Sequence, residues 1–372
     1  MSTDVGLRAE PGLLPLAQTL AVPAAQSAGL ADTSRRLSPE VIDGVRQAGF
    51  ARHFVATRFG GSEGTFAELT DAVVAVGEGC ASAAWFASLT AFSARFAGLL
   101  AEEGHHDLWA ESPDTIIATG LPPSGRAAAA QGGGYRLSGQ WAYVSGVDVA
   151  EWALLCAGTE TGADEPEPRF FAVPRAAFGV LETWDSIGMR ATGTHTVVVQ
   201  DVLVPAHRSF PRADLVSGRG CWSPVAAHNV PFQAVGGLTF IAPAVGAGLG
   251  ALQACAEAIV GKRRTSAAEV DLVRASGRID TARMLVAENA AALDRRDFTA
   301  ESMARNERNA AFAADMLATA VGELQRAAGT RGLSESGALQ RFWRDVVGAT
   351  SHVALRYETA AARTYSAALV GS

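Results

Sequence analysis

The chain has 372 residues, a formal net charge of −7 and 48% hydrophobic residues. This length suits two or three domains with a sizeable core, and the lack of a basic block argues against nucleic acid or a membrane surface as partner. Its four cysteines are far apart and no H-x-x-x-H spacing occurs, so we expect reduced thiols in a cytoplasmic protein, without disulfides or a metal site. No run of about 20 apolar residues lacks a polar break, so no membrane span is expected.

The first region, residues 1–112, has the pattern of several helices. The tripeptide SPE at 38–40 combines a capping residue, a proline at the first helical position and an early acid, and Gly49 would end that helix. The T-x-x-E spacing at 65–68 is that of a capping box. A further apolar helix is predicted over 82–101.

The second region, residues 113–215, changes to the alternating pattern of strands. Its short β-rich segments are separated by glycine, proline and acidic turns, and residues 160–168 have the composition of an exposed hairpin tip. The predicted strands are 115–119, 134–143, 152–157, 169–173 and 194–204.

The third region, residues 216–372, returns to helical periodicity. Breaks near 261–266, 299–304 and 329–337 divide it into four long segments, which predicts an antiparallel four-helix bundle. The glycines of GAGLGA at 246–251 lack the spacing and the strand–turn–helix context of a dinucleotide site. They are better explained as small residues that let two helices approach closely.

Two segments of the middle region have polar groups that could form a site. The segment GYRLSGQWAYVSG at 134–146 alternates aromatic and hydroxyl side chains, and it is either an aromatic-rich strand packed on helices or one wall of a pocket. The loop RATGT at 190–194 brings hydroxyls and backbone N–H groups together just before a strand. Such a loop can bind the edge of a planar cofactor or a phosphate.

Two titratable residues near the C-terminus have more than one interpretation. His352 is predicted to lie inside the last long helix, one position off its apolar stripe, either as a core histidine with a satisfied hydrogen bond or as a group at the edge of a cavity. Glu358 is either a surface carboxylate or a buried base.

Three segments together resemble the acyl-CoA dehydrogenase superfamily, most closely its group D flavin-dependent monooxygenases, the oxygenase components of two-component systems. They are GGGYRLSGQWAYVSGVDVAEWALL, DSIGMRATGTHTVVVQDVLVP and LQRFWRDVVGATSHVAL. The resemblance implies a mostly α, α+β fold with an N-terminal helical domain (1–112), a middle β-barrel-like domain (113–215) and a C-terminal four-helix bundle (216–372). It also implies a homotetramer.

The resemblance further implies a reduced flavin, FMN or FAD, held between sheet and bundle and supplied by a separate NAD(P)H:flavin reductase. Ser145 would reach the flavin N5 region and His352 would act as base or as hydroperoxide stabiliser, which makes these two the catalytic candidates. The other candidate cofactor contacts are Trp141, Tyr143, Thr192, Thr194 and Arg263.

The implied reaction is hydroxylation of an aromatic or amine small molecule, in the manner of a natural-product tailoring enzyme. The aromatic residues expected to line the substrate site are Trp85, Phe92, Phe232 and Phe240. Two alternatives remain open at this point: an acyl-CoA dehydrogenase-like flavoenzyme with Glu358 as base, and a redox-neutral or flavin-free scaffold of the same fold.

Overall fold

The structure is a computed structural model that describes residues 12–160, 166–219, 223–260 and 265–370. Helices come first, then a sheet, then helices again. The first group is α1 (Leu13–Ser34), α2 (Pro39–Ala48), α3 (Phe66–Gly79), α4 (Ala81–Ala97) and α5 (Glu102–Trp109). The strands are β1 (Ile117–Ala129), β2 (Tyr135–Val144), β3 (Trp152–Thr159), β4 (Glu167–Pro174), β5 (Gly179–Leu181), β6 (His195–Val204) and β7 (Ser209–Pro211). The last group is α6 (Arg212–Ser217), α7 (Phe232–Val235), α8 (Leu238–Ile259), α9 (Ser266–Asp294), α10 (Ala300–Ala328), α11 (Ala338–Thr350) and α12 (Ala362–Val370).

The helix starts predicted from local sequence are confirmed. Ser38 caps α2 by accepting a hydrogen bond from the Val41 N–H, and Gly49 ends that helix in the left-handed conformation at φ 93°. Thr65 caps α3 through the Glu68 N–H. The Glu68 carboxylate does not close the capping box but accepts from the Leu13 N–H at 3.3 Å, which ties the start of α1 to α3.

The seven strands form one open sheet in the order β5-β6-β2-β1-β3-β4-β7. Only β1 and β3 run parallel; the other neighbours are antiparallel. The expected barrel-like shape is therefore not closed within the described residues, because β5 and β7 are edges. Strand β1 also continues beyond the predicted 115–119 to Ala129, with a shift of register between Gly120 and Gly125 where two prolines interrupt the ladder.

The C-terminal helices α8 to α11 form the predicted bundle, and α8 also packs against α3 and α4 of the first group. The contact with α3 is close because both helices have glycine there: a Cβ on Gly246 would lie 2.4 Å from the Val74 carbonyl oxygen and 2.7 Å from the Gly77 Cα. This confirms the packing interpretation of GAGLGA. The run Phe232–Ile259 is long and apolar enough to cross a membrane, but 83% of an apolar 18-residue window within it is buried inside the fold, as in a core helix.

One hydrophobic cluster extends through all three regions of the chain, from α1 and α3 through β2 and β6 to α8 and α10. The boundaries 1–112, 113–215 and 216–372 therefore stay a prediction. In this fold the end of β2 and the start of β6 lie next to α4, α8 and the segment after α11.

Candidate active site at the junction of sheet and bundle

A row of three hydroxyl groups lies where β2 ends and β6 begins. The pairing of Val144 with His195 puts Ser145 opposite Thr194, and their side-chain oxygens are 2.7 Å apart. Thr194 in turn lies 2.6 Å from the Thr192 hydroxyl. Ser145 is half-buried, whereas Thr192 and Thr194 are buried, so the Ser145 end of the row is the more exposed one.

The loop before β6 is held by the last long helix. The Met189 N–H donates to the buried carboxylate of Asp345 on α11 at 2.6 Å, and Gly188 is so close that a Cβ there would lie 2.0 Å from the Arg344 carbonyl oxygen. Arg344 itself pairs with Asp32 of α1. Burial, with a smaller contribution from Asp32, raises the pKa of Asp345 to about 6.

Trp85 of α4 joins the hydroxyl row to the C-terminal helices. Its indole Nε1–H donates to the Ser145 Oγ at 3.1 Å, and its ring contacts Phe240 of α8 with centroids 5.3 Å apart. The same indole meets the His352 ring edge-on at 6.0 Å, while His352 stacks on Phe240 at 3.7 Å. The Trp85 side chain therefore contacts both the Ser145 hydroxyl and the His352 imidazole.

His352 does not lie inside the last long helix, as the sequence predicted; α11 ends at Thr350 and His352 caps a short 3-10 turn. Its extended backbone lets the ring Nδ1 accept the Ala354 N–H at 3.2 Å. Burial lowers the pKa of His352 to about 4, so the ring is neutral near pH 7. Because Nδ1 is an acceptor in this contact, the proton of the neutral ring is on Nε2.

The two aromatic residues of strand β2 have different environments. Trp141 is fully buried, its Nε1–H donates to the Cys156 carbonyl at 2.6 Å, and its ring covers Gly125 and Gly139. Tyr143 is 76% exposed, with φ at 61° where the β2–β6 register shifts. Tyr143 is therefore accessible at the surface, whereas Trp141 packs in the core.

The structure brings together only half of the predicted substrate-lining residues. Trp85 and Phe240 are in the cluster described above. Phe92 instead packs with Phe54 and Phe66 in the core, and Phe232 packs against Phe96 in a separate apolar cluster. Glu358 is solvent-exposed, and Arg263 lies outside the described residues.

Asp345 was not predicted as a site residue, and Trp85 was predicted in a different role. Asp345 occurs within the C-terminal segment that carried the resemblance, but nothing local indicates that it binds a loop 156 positions away. Trp85 was expected only as an apolar wall, and its hydrogen bond to Ser145 comes from a different helix. An aspartate on the apolar side of an amphipathic helix, between Phe342 and Val346, is the one signal that could have been used for Asp345.

The unused hydrogen-bonding atoms of Ser145 and His352 and the exposed ring of Tyr143 suit a planar cofactor with hydrogen-bonding edges. Ser145 has a lone pair that none of its contacts uses, Tyr143 exposes a ring face, and no described residue hydrogen-bonds the His352 Nε2. A cleft beside the row, lined in part by Phe86, Gly146 and Thr192, has a cavity volume of only about 10 Å³, room for about one water molecule. Since cofactor pockets usually measure roughly 300–1,000 Å³, one chain offers an open surface to such a ring, not an enclosed cavity.

The chain is similar to known proteins over nearly its whole length. The family described as acyl-CoA dehydrogenase, C-terminal domain, matches residues 238–357. The FADH(2)-dependent resorcinol hydroxylase oxygenase component of Rhizobium sp. (strain MTP-10005) is 30% identical over 360 residues, 89% of this chain and 88% of that protein. The structure of the 3-HSA hydroxylase from Rhodococcus sp. RHA1 matches with a TM-score of 0.91 and 26% identity over 97% of both chains. XiaF from Streptomyces sp., solved in complex with FADH2 and glycerol, matches with a TM-score of 0.89 and 25% identity over 97% of this chain and 95% of that one.

Proposed function

The chain belongs to the oxygenase components of two-component flavin-dependent monooxygenases within the acyl-CoA dehydrogenase superfamily, and we propose that it uses reduced flavin and O2 to hydroxylate a small aromatic molecule. The observation that carries the proposal is the contact of Trp85 with both Ser145 and His352. It joins a hydroxyl at the cofactor surface to an imidazole from the C-terminal region.

Reduced flavin, when bound, supplies the two electrons that let one atom of O2 enter the substrate while the other leaves as water. The residues of this chain would hold the ring: Tyr143 covers one face, and Ser145 meets the N5 edge. Trp85 and Phe240 keep water from the side of the ring next to α4 and α8, since both are at most 9% exposed.

His352 is proposed as a neutral hydrogen-bond donor to the oxygen of the substrate or of the oxidant. The Ala354 N–H occupies Nδ1, so Nε2 carries the hydrogen and cannot accept a proton from a phenol. Of the two roles expected from the sequence, base or stabiliser, the geometry favours the stabiliser. Such a positioned donor is typically worth about 10²-fold to 10³-fold in rate.

The proposed substrate is an electron-rich aromatic compound, in the manner of natural-product tailoring. Support comes from the apolar walls provided by Trp85 and Phe240, and from the similarity to a resorcinol hydroxylase. Phe92 and Phe232 are not included, because their contacts are with other core residues. Glu358, the base of the dehydrogenase alternative, is exposed.

The proposed assembly is a cytoplasmic homotetramer served by a separate NAD(P)H:flavin reductase. An outward stripe on α9, consisting of Val270, Val273, Gly277, Thr281 and Met284, is exposed and partly apolar. A Cβ on Gly277 would meet nothing within 4 Å, so a helix of another subunit could approach closely there. Arg263 stays a proposed phosphate contact, from the same subunit or across the interface.

The proposal is tested by anaerobic mixing of the protein with chemically reduced FMN or FAD, followed by oxygen and a panel of phenols that begins with resorcinol. We expect a hydroxylated product whose added oxygen derives from ¹⁸O2. A chain that consumes reduced flavin without incorporating ¹⁸O into any phenol of the panel would contradict the oxygenase function. Reduction of bound oxidised flavin by an acyl-CoA would instead favour the dehydrogenase.

A further inference from the structure

The hydroxyl row between the end of β2 and the start of β6 has a direction, which follows from its last member, Thr192. The Thr192 Oγ1 lies 3.0 Å from the Met189 carbonyl oxygen, and a carbonyl can only accept. Thr192 therefore donates to Met189 and must accept from Thr194, which in turn must accept from Ser145. Each hydroxyl has one hydrogen, so all three hydrogens point away from the proposed cofactor surface.

The contact at the other end of the row is compatible with this direction, which the Thr192 end sets. Trp85 Nε1–H donates into Ser145, and an indole nitrogen cannot accept. Ser145 thus keeps one lone pair toward the exposed side and has no hydrogen to offer there. Met189 is also fixed: its carbonyl accepts from Trp184 Nε1 at 2.8 Å and its N–H is held by Asp345.

We infer that Thr192 is a positioning residue that makes the site selective for the reduced state of the flavin. The inference rests on the proposed function, in which Ser145 faces the N5 edge. Reduced flavin carries a hydrogen on N5 and can donate it to the free lone pair of Ser145. Oxidised flavin has only an acceptor at N5, so it would meet a second acceptor.

Binding oxidised flavin with a hydrogen bond from Ser145 requires a break in the row. If all three hydroxyls reverse, Thr192 loses its bond to Met189 and leaves two oxygens 3.0 Å apart without a hydrogen. If only Ser145 rotates, the 2.7 Å contact with Thr194 loses its hydrogen instead. Either way one buried hydrogen bond is lost, which corresponds to about a tenfold preference for the reduced form.

The test measures the dissociation constants of oxidised and reduced FMN and FAD under anaerobic conditions, together with the midpoint potential of the bound flavin. In Thr192→Val the Thr194 hydrogen is free to turn toward Ser145, which can then donate to N5. We expect the affinity for oxidised flavin to rise, the affinity for reduced flavin to stay within about twofold, and their ratio to fall about tenfold. That change lowers the midpoint potential by about 30 mV.

Matched variants separate hydrogen-bond direction from packing. Thr194→Val interrupts the row at its middle and should reduce the ratio in the same way, whereas Thr192→Ser restores the hydroxyl and should restore the ratio. Thr196→Val is the control. Thr196 is a buried threonine of β6, and its hydroxyl bonds Thr183 and not a member of the row. Its ratio should equal that of the wild type.

The two proposals fail in distinguishable ways. If Thr192→Val weakens both redox forms equally, or if Thr196→Val changes the ratio as much, the row is only structural and the inference is wrong. If the wild-type protein binds neither form at up to millimolar flavin, the proposed function fails and the inference fails with it.

Discussion

Single side chains of this site have roles that follow from their burial. Three side chains each have one polar atom held by a hydrogen bond to a backbone group: Asp345, His352 and Thr192. Their remaining atoms are thereby oriented, and orientation decides whether a group donates or accepts. Preorganised donors and acceptors of this kind are the main means by which proteins stabilise reacting charge.

The buried carboxyl of Asp345 predicts a stability change with pH. Its pKa in the native state is raised to about 6, so between about pH 4 and pH 6 the unfolded chain ionises while the native one does not, and stability falls as the pH rises through this window. We expect Asp345→Asn, which keeps an acceptor for the Met189 N–H, to raise the free energy of unfolding at pH 7 by roughly 2 kcal/mol.

The measurement is urea denaturation at pH 4 and pH 7, at one protein concentration because oligomers unfold in a concentration-dependent way. At pH 4 the carboxyl is protonated in the native chain and roughly half protonated in the unfolded one, so variant and wild type should then differ much less than at pH 7. An equal difference at both pH values would mean that Asp345 is not protonated more readily in the native state.

His352 yields a prediction that distinguishes a donor from a base. If Nε2–H donates, His352→Gln retains an amide N–H and should keep more activity than His352→Ala, which we expect to lose about 10²-fold in hydroxylation rate. His352→Glu, which could act as a base but not as a donor when ionised, should not rescue. Single-turnover yields of hydroxylated phenol measure all three.

The pH profile of the wild type provides a second check on His352. Because burial lowers the pKa of this ring to about 4, no inflection near 6.5 should come from it. An inflection of the pH–rate profile near pH 6.5 that disappears in His352→Gln would show that the ring titrates in that range. This result would contradict the donor role.

At the scale of elements, the close contact of α3 with α8 positions the walls of the site. Trp85 is on α4, directly after α3, and Phe240 is on α8, so the spacing of these helices fixes the Trp85–Phe240 contact of 5.3 Å. The glycines that permit this spacing, Gly77 and Gly246, are in helix interiors, where glycine is otherwise unfavourable by about 1 kcal/mol relative to alanine.

We therefore expect Gly246→Ala to destabilise the protein by about 1–3 kcal/mol, because its Cβ would overlap the Val74 carbonyl of α3. Gly322→Ala on α10 is the matched control: its Cβ would have no neighbour closer than 3.9 Å, so the change should be neutral or slightly stabilising. Denaturant midpoints at constant slope measure both, and a stabilised Gly246→Ala would contradict the close packing.

At the scale of the whole molecule, the open surface at Ser145 and the exposed stripe on α9 both support the proposed oligomer. A flavin on Tyr143 and Ser145 would be covered on one side only by a single chain, and another subunit can supply the missing side. Closed symmetric assemblies bury such stripes between copies of the same surface.

We expect Val273→Glu to shift the protein toward smaller species in sedimentation experiments and to weaken reduced-flavin binding at the same time. Val273 is 72% exposed in the single chain, so the change should not unfold it. Val22→Glu, the same change at a 58% exposed position on α1, is the control. A tetramer that persists in Val273→Glu would place the interface elsewhere.

The sequence by itself determined the helix starts and the order of helices, sheet and bundle, because caps, periodicity and turn residues act over a few positions. Ser38, Thr65 and the glycines of GAGLGA are examples. The superfamily followed from the resemblance of three segments to a known family. Only the tertiary structure decided that Trp85 bonds Ser145, that Asp345 holds Met189, and that Phe92 and Phe232 are in the core. The Trp85–Ser145 and Asp345–Met189 contacts join residues 60 and 156 positions apart. The positions of Phe92 and Phe232 depend on the direction in which each ring points. The local sequence pattern carries no information about either. The position of His352 beyond the helix end also depended on a backbone turn, since helical periodicity alone does not show where α11 stops.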